Sequence, residues 1–416
     1  MARRVVVDVP LVLTALVLSA YGVAMVYSAG QTDVPTSATH AWLSQIRWLA
    51  LGIAAAYGVS RASVRFYEWA ALPVYALSIA LLALLLVIGT GAGTATGTKS
   101  WIAIGGIRLG QPSELAKVTV VLMLARVLAA RREPPKSLLE LWKPAVIVFI
   151  PWALIMMQPD LGTGIVFIGI FFAMLFWSGV PFPLLVLVAS PAVSLLLAFN
   201  TSLWGAWFLL LLALVLWYKP FMLEGVGLMT ANVVMGVVAP ILWQRMAPYQ
   251  RHRLLVFLDP SIDPRRSGWH VIQSQVAIGS GGWLGKGFLQ GTQKRLAFLP
   301  EQHTDFIFAV LGEELGFIGV TVALMLFLSL LLRAVRIAER ANDSFSSLVA
   351  IGLASSWLVH IIVNVGMTLN LMPITGIPLP FFSYGGSFML ACWLAIGLLS
   401  RISSEGRGAK VGELAI

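Results

Sequence analysis

The sequence of 416 residues is poor in cysteine and in charge. Its single cysteine, Cys392, lies in an apolar run, so an intrachain disulfide is excluded. Asp, Glu, Lys and Arg together make up only 11% of the chain. Soluble domains usually carry about 25% of these residues. Most of the surface must therefore face something other than water, and the composition predicts an integral membrane protein.

Several motifs that would indicate particular chemistries are also missing. The sequence contains no Walker motif, dinucleotide fingerprint, zinc-ligand spacing or nucleophile elbow. The net charge of +10 does not indicate nucleic acid binding, because the basic residues are spread in small groups between apolar runs. A cofactor-free reaction, transport and scaffolding remain as function classes.

The chain is instead dominated by long apolar runs, and 59% of its residues are hydrophobic. A transmembrane helix needs about 20 mostly apolar residues. Twelve runs are candidate spans: 10–29, 42–60, 66–89, 112–130, 144–158, 162–179, 183–199, 203–218, 225–244, 306–332, 346–368 and 384–400. Three of them are short, so one or two could be re-entrant or merged. The sequence predicts an all-α polytopic membrane protein with 10–12 transmembrane helices.

The distribution of basic residues predicts the orientation of these spans. If the spans alternate, basic groups fall on one side together with Arg3 and Arg4, namely those at 61–65, 131–143, 333–340 and 401–410. Loops of the opposite side contain neither Lys nor Arg, namely 30–41, 158–163 and 369–382. Cytoplasmic loops carry the excess of Lys and Arg. We therefore predict that both termini are cytoplasmic.

The segment 245–303 is the exception, because it falls on the outer side and still carries eight basic residues, Arg253 among them. It is also rich in glycine from Gly279 to Gly291, with polar and aromatic side chains interleaved. A flexible connector is one interpretation. Long loops are usually functional or disordered, and we predict a large extracytoplasmic loop that presents an anion-binding surface.

Acidic residues cluster at the end of this loop, where Glu301, His303 and Asp305 lie within five positions. An acidic residue at a helix start is often only a cap that interacts with the helix dipole. Glu313 and Glu314 follow inside the same predicted helix, where carboxylates are costly unless they face protein or water. The cluster is therefore a candidate reaction centre as well as a candidate cap.

A second candidate site begins at Pro112, which suits the first position of a helix. Glu114 and Lys117 follow at i and i+3, so that they share one helix face. Near a membrane such a pair should face the bundle interior or a wet cavity, although it could only fix packing. Trp101, shortly before, is either part of this site or an interfacial anchor.

Two further polar segments lie at predicted outer turns. Asp160 belongs to the run Gln158 to Thr163, where Asp and Gly are ordinary turn residues. Ser383 belongs to a segment rich in proline and glycine before the last span, and a broken entry segment is tolerable only where it lines a cavity. His360 and Asn364 of the preceding span are i and i+4, with interhelical hydrogen bonds as their default role.

These segments together resemble the SEDS family (shape, elongation, division and sporulation), and most specifically its RodA-like elongation members. The similarity lies in five motifs in the right order: Gln111 to Lys117, Gln158 to Thr163, Gln273 to Gly282, the run from Gly291-Thr292-Gln293 to Ala309, and Pro378 to Ser387. It extends from the first span to the last. Two departures are the three apolar runs within 183–244, where family members have one span, and Phe388, where they often have serine.

The resemblance implies a peptidoglycan glycosyltransferase that polymerises lipid II at the outer face of the bacterial cytoplasmic membrane, in cell elongation and shape maintenance. It implies a catalytic role for Asp305, a functional pair in Glu114 and Lys117, and a class B penicillin-binding protein as partner. Substrate contacts are expected from residues of the matching motifs and the outer loop: Trp101, Asp160, Arg253, Gln293, Glu301, His303 and Ser383.

The reaction needs a base for the attacking sugar hydroxyl and positive charge for the leaving lipid pyrophosphate. Asp305 is the candidate base, and Lys117 or Arg253 could hold the pyrophosphate. A divalent cation, Mg²⁺ or Mn²⁺, could share that work, with Glu114 and Asp305 as candidate ligands. Two alternatives are a lipid II flippase and a non-catalytic scaffold for a transpeptidase. The sequence shows no internal repeat of the kind common in transporters.

Overall fold

The computed structural model describes residues 8–33, 36, 38–91, 100–104, 107–246, 248–259, 267–299 and 301–413. These ranges form a bundle of α-helices with one antiparallel strand pair, β1 (Ile102–Ile104) and β2 (Ile107–Gly110). The helices are α1 (Val9–Ala29), α2 (Ala41–Arg61), α3 (Val64–Ile88), α4 (Pro112–Ala129), α5 (Trp142–Met157), α6 (Leu161–Trp177), α7 (Phe182–Leu197), α8 (Thr201–Tyr218), α9 (Met222–Arg245), α10 (Pro248–Leu258), α11 (Ser267–Gly281), α12 (Thr292–Arg295), α13 (Ile307–Glu339), α14 (Ser344–Thr368) and α15 (Gly386–Glu413).

Each of the twelve predicted spans corresponds to one of the helices α1–α9 and α13–α15. Within the described residues, eight helices are long and apolar enough to cross a membrane, and α6 and α7 are shorter apolar helices. α2 and α4 have 21 and 18 residues, but they carry charged residues such as Arg47 and Lys117. The prediction of a polytopic helical membrane protein is confirmed.

Local sequence sets several helix starts. The carboxylates of Asp8, Asp160 and Asp343 each accept a hydrogen bond from a backbone N–H in the first turn of α1, α6 and α14, respectively. Such caps satisfy backbone donors that have no partner within the helix. Pro112 occupies the first position of α4, as its missing N–H predicts.

α14 lies at the centre of the bundle, and 72% of its most apolar 18-residue stretch is buried. It packs against α4, α6 and α13, while α15 packs along α2. The centre is tight. Gly22 of α1 lies directly on the backbone of Phe382, because a Cβ there would be 2.5 Å from the Cα of Phe382. Helix α14 can therefore contribute side chains to several neighbouring segments at once.

α7, α8 and α9 form a group at the edge of the bundle. Only 6% of the 18-residue apolar stretch of α8 is buried. Asn232 on α9 joins α7 through its amide, which donates to Ser190 Oγ at 2.8 Å and accepts from Ser194 Oγ at 2.6 Å. Glu224 accepts from the backbone N–H of Leu139 at 2.9 Å and so ties the group to the start of α5. The three apolar runs noted in the sequence are therefore three separate helices.

The predicted outer loop, 245–303, has secondary structure of its own. It contains α10, α11 and α12. Helix periodicity did not indicate them, because glycine and polar residues interrupt the apolar pattern of this segment. Part of the loop packs into a kink of α13 at Gly316, where φ is 60°. The carbonyl groups of Gly282 and Trp283 accept hydrogen bonds there from Phe317 N and Ile318 N at 2.9 and 3.2 Å.

Candidate active site

Four of the polar segments singled out in the sequence lie next to one another. Gln111 donates from Nε2 to Asp160 Oδ2 at 3.0 Å and from its backbone N–H to Ser387 Oγ at 3.2 Å. Tyr384 N donates to the carbonyl of His303 at 2.9 Å. The start of α4, the start of α6, the residues before α13 and those before α15 therefore form one site.

Glu114 and Lys117 form the predicted ion pair, with 2.7 Å between Glu114 Oε2 and Lys117 Nζ. Both side chains are only 4% exposed. Lys117 Nζ also lies 2.8 Å from Nε2 of His360, whose Nδ1 lies 2.9 Å from the carbonyl oxygen of Pro378. An ammonium can only donate. Nε2 of His360 therefore accepts, and Nδ1 carries the proton that it donates to Pro378.

A small cavity of about 20 Å³ lies beside this pair, with Phe388, Cys392 and Trp357 among its lining residues. That volume holds about one water molecule. The ring of Phe388 stacks on His360 with 4.5 Å between centroids, and Lys117 Nζ lies 5.1 Å from the same ring. Phe388, a departure from the family pattern, thus closes the cavity over the buried ammonium.

Asp305 lies just before α13 and is partly buried. Its carbonyl oxygen accepts from Asn364 Nδ2 at 3.0 Å. Its Oδ2 faces Gly376, where a Cβ would lie 3.2 Å away. The N-cap position of α13 is Phe306, whose side chain makes no capping hydrogen bond. The reactive role of Asp305 and a capping role both stay predictions.

His303 and Glu301 stand beside Asp305. His303 is 8% exposed, and its ring packs 5.4 Å from that of Tyr384. Burial lowers the pKa of His303, and the negative charge of Glu301 opposes that effect. Glu301 is exposed, and its carbonyl oxygen accepts from the N–H groups of Thr304 and Asp305 at 3.1 Å. Glu301 thus builds the turn that presents Asp305, while its carboxylate remains open to solvent.

Two predicted contact residues use their side chains within the fold. Asp160 accepts from the backbone and hydroxyl of Thr163 at 3.0 and 2.9 Å, besides its bond to Gln111. Ser383 Oγ accepts from Leu379 N at 2.8 Å and is buried. These bonds shape the walls of the site. Direct substrate contact by either residue stays a prediction.

The remaining predicted contact residues lie on three separate segments of the chain. Trp101 exchanges backbone hydrogen bonds with Thr90 at 3.0 and 3.2 Å. Gln293 lies at the start of α12, and its Oε1 is buried without a hydrogen-bond partner among the described residues. Arg253 is on α10, and its side chain lies outside the described part of the structure. Their contacts with substrate also stay predictions.

A second set of polar and charged residues, the loop cluster, joins the segment 245–303 to α13 and comprises Ser28, Lys286, Lys294, Glu313 and Glu314. Lys294 Nζ lies 2.6 Å from Glu314 Oε1 and donates to Ser28 O at 2.8 Å. Ser28 Oγ donates to Glu314 Oε2 at 2.6 Å. Burial lowers the pKa of Lys294, and Glu314 opposes this.

Glu313 completes the loop cluster. Its Oε1 accepts from Lys286 Nζ at 2.7 Å and from the N–H groups of Thr292 and Gln293 at 2.9 and 3.0 Å. The sequence signalled these carboxylates but not their partners. The signal was the requirement that buried carboxylates be paired, and Lys294 lies about twenty positions away on a different element.

Comparison with known proteins identifies the family. The sequence profile of the FTSW_RODA_SPOVE family, described as cell cycle proteins, matches residues 9–207 and 203–408. The chain is 35% identical over 427 residues to the peptidoglycan glycosyltransferase RodA of Treponema pallidum, covering 96% of this chain and 98% of that protein. It is 36% identical over 406 residues to the peptidoglycan glycosyltransferase MrdB of Escherichia coli, covering 97% and 95%.

Solved structures with the same fold agree. One, described as the structural coordination of polymerization and crosslinking by a peptidoglycan synthase complex, matches with a TM-score of 0.72 and 28% identity over 96% of this chain and 98% of that one. The rod shape determining protein RodA of Thermus thermophilus matches with a TM-score of 0.63 and 26% identity over 96% and 97%.

Proposed function

This chain belongs to the FtsW, RodA and SpoVE family of cell cycle proteins and is a peptidoglycan glycosyltransferase, and from that premise we propose how its site polymerises lipid II. The carrying observation is that α14 bonds to both predicted centres. His360 contacts Lys117, and Asn364 holds the carbonyl of Asp305. A base and a cation are thereby held in one site, as transfer from a pyrophosphate donor needs.

Asp305 is the general base. The acceptor sugar hydroxyl attacks the anomeric carbon of the donor, its proton passes to the Asp305 carboxylate, and the bond from that carbon to the pyrophosphate oxygen breaks. Asp305 suits this role because it is partly buried, is presented by the turn at Glu301 and lies against a glycine that leaves room around Oδ2. General base catalysis is worth about 10²–10⁴-fold in rate.

Lys117 supplies positive charge for the leaving group, and Glu114 keeps that lysine charged in its buried position. Within the described residues, no group of three or more His, Cys, Asp and Glu could hold a metal ion. Mg²⁺ is often held by one or two carboxylates together with substrate phosphates. Asp305 and Glu114 would then be its protein ligands, and the cation would neutralise charge on the pyrophosphate.

Asp305→Asn tests the assignment of the base. The variant keeps shape and hydrogen bonding but cannot accept the proton, so polymerisation of labelled lipid II by purified protein should fall by about 10²–10⁴-fold. Lipid II binding should change far less. Asp33→Asn is the matched control, because Asp33 pairs with Arg295 at an exposed position, 51% accessible, away from the site.

A folded and fully active Asp305→Asn protein would remove Asp305 from the chemistry. Glu114 and Glu301 would then be the next carboxylates to test. Retained lipid II binding without any polymerisation by the unaltered protein would instead favour transport or scaffolding over glycosyl transfer.

We also propose the orientation and organisation of the chain. A single transmembrane domain spans 1–416, both termini are cytoplasmic, and 245–303 is extracytoplasmic, which the clustering of basic residues supports. Labelling of Ser267→Cys by an impermeant thiol reagent should then succeed from the outer side. Cys392 is buried and gives the background in the unaltered protein. Labelling only after the membrane is opened would reverse the orientation.

The structural relative from a peptidoglycan synthase complex supports a partner. A single-span class B transpeptidase would dock on lipid-facing helices of the C-terminal half, where α13 exposes Phe317, Met325 and Leu328. Because α13 begins two residues after Asp305, a helix bound there can affect the site. Co-purification, with polymerase activity measured with and without the partner, tests this. Equal activity in both states would exclude activation.

A further inference from the structure

Two polar residues of α14, His360 and Asn364, are fully buried. They are one helical turn apart and therefore lie on one face. Interhelical hydrogen bonding is the usual role of such residues in membrane helices. Here the partners of His360 and Asn364 include Lys117 and the backbone of Asp305, so the two residues connect both parts of the proposed active site.

Asn364 uses its amide nitrogen twice. Nδ2 donates to the carbonyl of Asp305 at 3.0 Å and to the carbonyl of Ile377 at 2.8 Å. An amide nitrogen has two hydrogens, so both donors are used. Oδ1 is buried and has no hydrogen-bond partner among the described residues. The two donated bonds therefore fix the side chain, and they join the backbone at Asp305 to the segment before α15.

His360 acts in the same way one turn earlier. Its Nδ1 donates to the carbonyl of Pro378, the residue after Ile377, at 2.9 Å, and its Nε2 accepts from Lys117 at 2.8 Å. The two side chains thus hold two consecutive carbonyl groups of one irregular segment. Through their remaining bonds they hold Lys117 on one side and Asp305 on the other.

The segment held in this way forms part of the wall at Asp305. Gly376, directly before Ile377, has φ of 74°, and a Cβ there would lie 3.2 Å from Asp305 Oδ2. A shift of the carbonyl groups at 377 and 378 would therefore move the wall against the carboxylate. The same shift would change the distance between Lys117 and its second partner, His360.

We propose that His360 and Asn364 are positioning residues, an α14 clip that fixes the separation of Lys117 and Asp305 by holding the adjacent carbonyl groups of Ile377 and Pro378. The expected effect of the clip on catalysis rests on the proposed function, because that function assigns Lys117 and Asp305 their roles. Neither clip residue needs to touch substrate. A misplacement of about 1 Å in an active site can cost 10²-fold in rate.

Three variants test the clip. Asn364→Leu removes both donors at similar volume, and His360→Phe keeps a ring against Phe388 but removes both nitrogens. Each should lower kcat by about 10²-fold with little change in KM for lipid II. His360→Gln retains a donor and an acceptor and should recover most of the activity. No recovery, with the Gln and Phe variants equally inactive, would overturn the role of His360.

A merely structural role is separated by a control on the same helix. Val363→Ala removes buried methyl groups, since Val363 is 2% exposed, and it contacts neither carbonyl through a polar atom. Activity per folded molecule should be unchanged in this variant, even where its Tm falls as far as that of Asn364→Leu. An equal loss of kcat in the two variants would show that general destabilisation explains the effect.

The coupling itself is measured by a double-mutant cycle. If Asn364 acts through Asp305, Asn364→Leu should cost little further rate in an Asp305→Asn background. The same should hold for His360→Phe in a Lys117→Met background. Fully additive losses in both cycles would overturn the proposal.

Hydrogen exchange keeps this inference distinct from the proposed function. In Asn364→Leu, amides of residues 369–385 should exchange faster than in the unaltered protein, whether or not the preparation polymerises lipid II. Faster exchange in Asn364→Leu, combined with an unaltered protein that makes no glycan, would retain the clip and refute the function. Unchanged exchange in an active enzyme would refute the clip and retain the function.

Discussion

The chain buries charged groups in two places, and the two places differ in how completely those charges are bonded. In the loop cluster, Glu313 Oε1 alone accepts from a lysine, a hydroxyl and two backbone N–H groups. Beside the small cavity, Lys117 bonds to Glu114 and His360 and lies against one aromatic ring. Burial is nearly equal in the two places.

The difference indicates what each set does. Charges taken out of water are tolerated only when their hydrogen bonds are largely satisfied. The loop cluster meets this condition more fully, through backbone groups of the segment 245–303, although Oε2 of Glu313 has no hydrogen-bond partner among the described residues. We infer that it holds this segment in place. The Glu114–Lys117 pair meets it with fewer bonds and lies beside a cavity, so Lys117 retains donor capacity for an anionic group that enters.

Neutralising one member of the Glu114–Lys117 pair should give the largest effect on activity. Glu114→Gln keeps an amide oxygen that can accept from Lys117 but removes the negative charge beside the buried ammonium. We expect polymerisation to fall by about 10²-fold or more, as when one preorganised electrostatic contact is lost. The amount of folded protein in the membrane should not change, which size-exclusion yield and Tm measure. A loss of yield and Tm in step with activity would make the pair a packing element.

Breaking the loop cluster should give the opposite result, a loss of stability with little loss of activity. Lys294→Met leaves the Glu314 carboxylate buried without its cation, and removal of one partner of a buried pair typically costs about 3–5 kcal/mol of stability. Thermal unfolding in detergent measures the loss, and activity per folded molecule should be nearly normal. Lys294→Met with Glu314→Gln is the matched control and should recover much of the Tm. Retained stability in the single variant would contradict the structural role.

The backbone joint between loop and α13 offers a smaller perturbation of the same region. Gly316→Ala places a Cβ 2.4 Å from Gly285 N at a positive φ. We expect a loss of about 1–3 kcal/mol from backbone strain. Gly205→Ala is the control, because nothing lies within 4 Å of a Cβ there. A destabilisation no larger than that of the control would show that the loop does not depend on this close contact.

A pH effect of His303 should be the smallest. Burial lowers the pKa of His303, so the unfolded chain binds its proton first, below about pH 6.5. Stability should therefore fall as the pH drops below that value. The Tm difference between pH 7.5 and pH 5.5 should be smaller in His303→Gln than in the unaltered protein. An identical difference would mean that His303 does not titrate on unfolding.

Much of the fold could be predicted from the sequence, because each membrane-spanning helix requires a long apolar run. The twelve predicted runs match helices to within a few residues at most ends. The prediction stopped short at α15, which continues to Glu413 as a polar helix beyond the apolar part. It also missed α10 to α12, whose helical pattern is interrupted by glycine and polar residues.

The sequence predicted which residues belong to the candidate site, but it did not predict the hydrogen bonds between them. Glu114 and Lys117 could be paired because i and i+3 on a helix fix their proximity. Lys117 and His360 are 243 positions apart, and Lys294 and Ser28 are 266 apart. No local rule connects such residues. Ser383 and Asp160 show the converse, since their hydroxyl and carboxylate accept from backbone N–H groups only four and three positions away.

The kink at Gly316 has a consequence for how the protein is made. The break leaves Phe317 N and Ile318 N to donate to Gly282 and Trp283, and the carbonyl groups of Glu313 and Glu314 to accept from Lys286 N and Gly287 N. Lipid offers such groups no partners. We therefore expect the nascent α13 to complete its insertion only when the preceding loop folds onto this break. Loop folding and release of this helix into the bilayer should occur as a single step during synthesis.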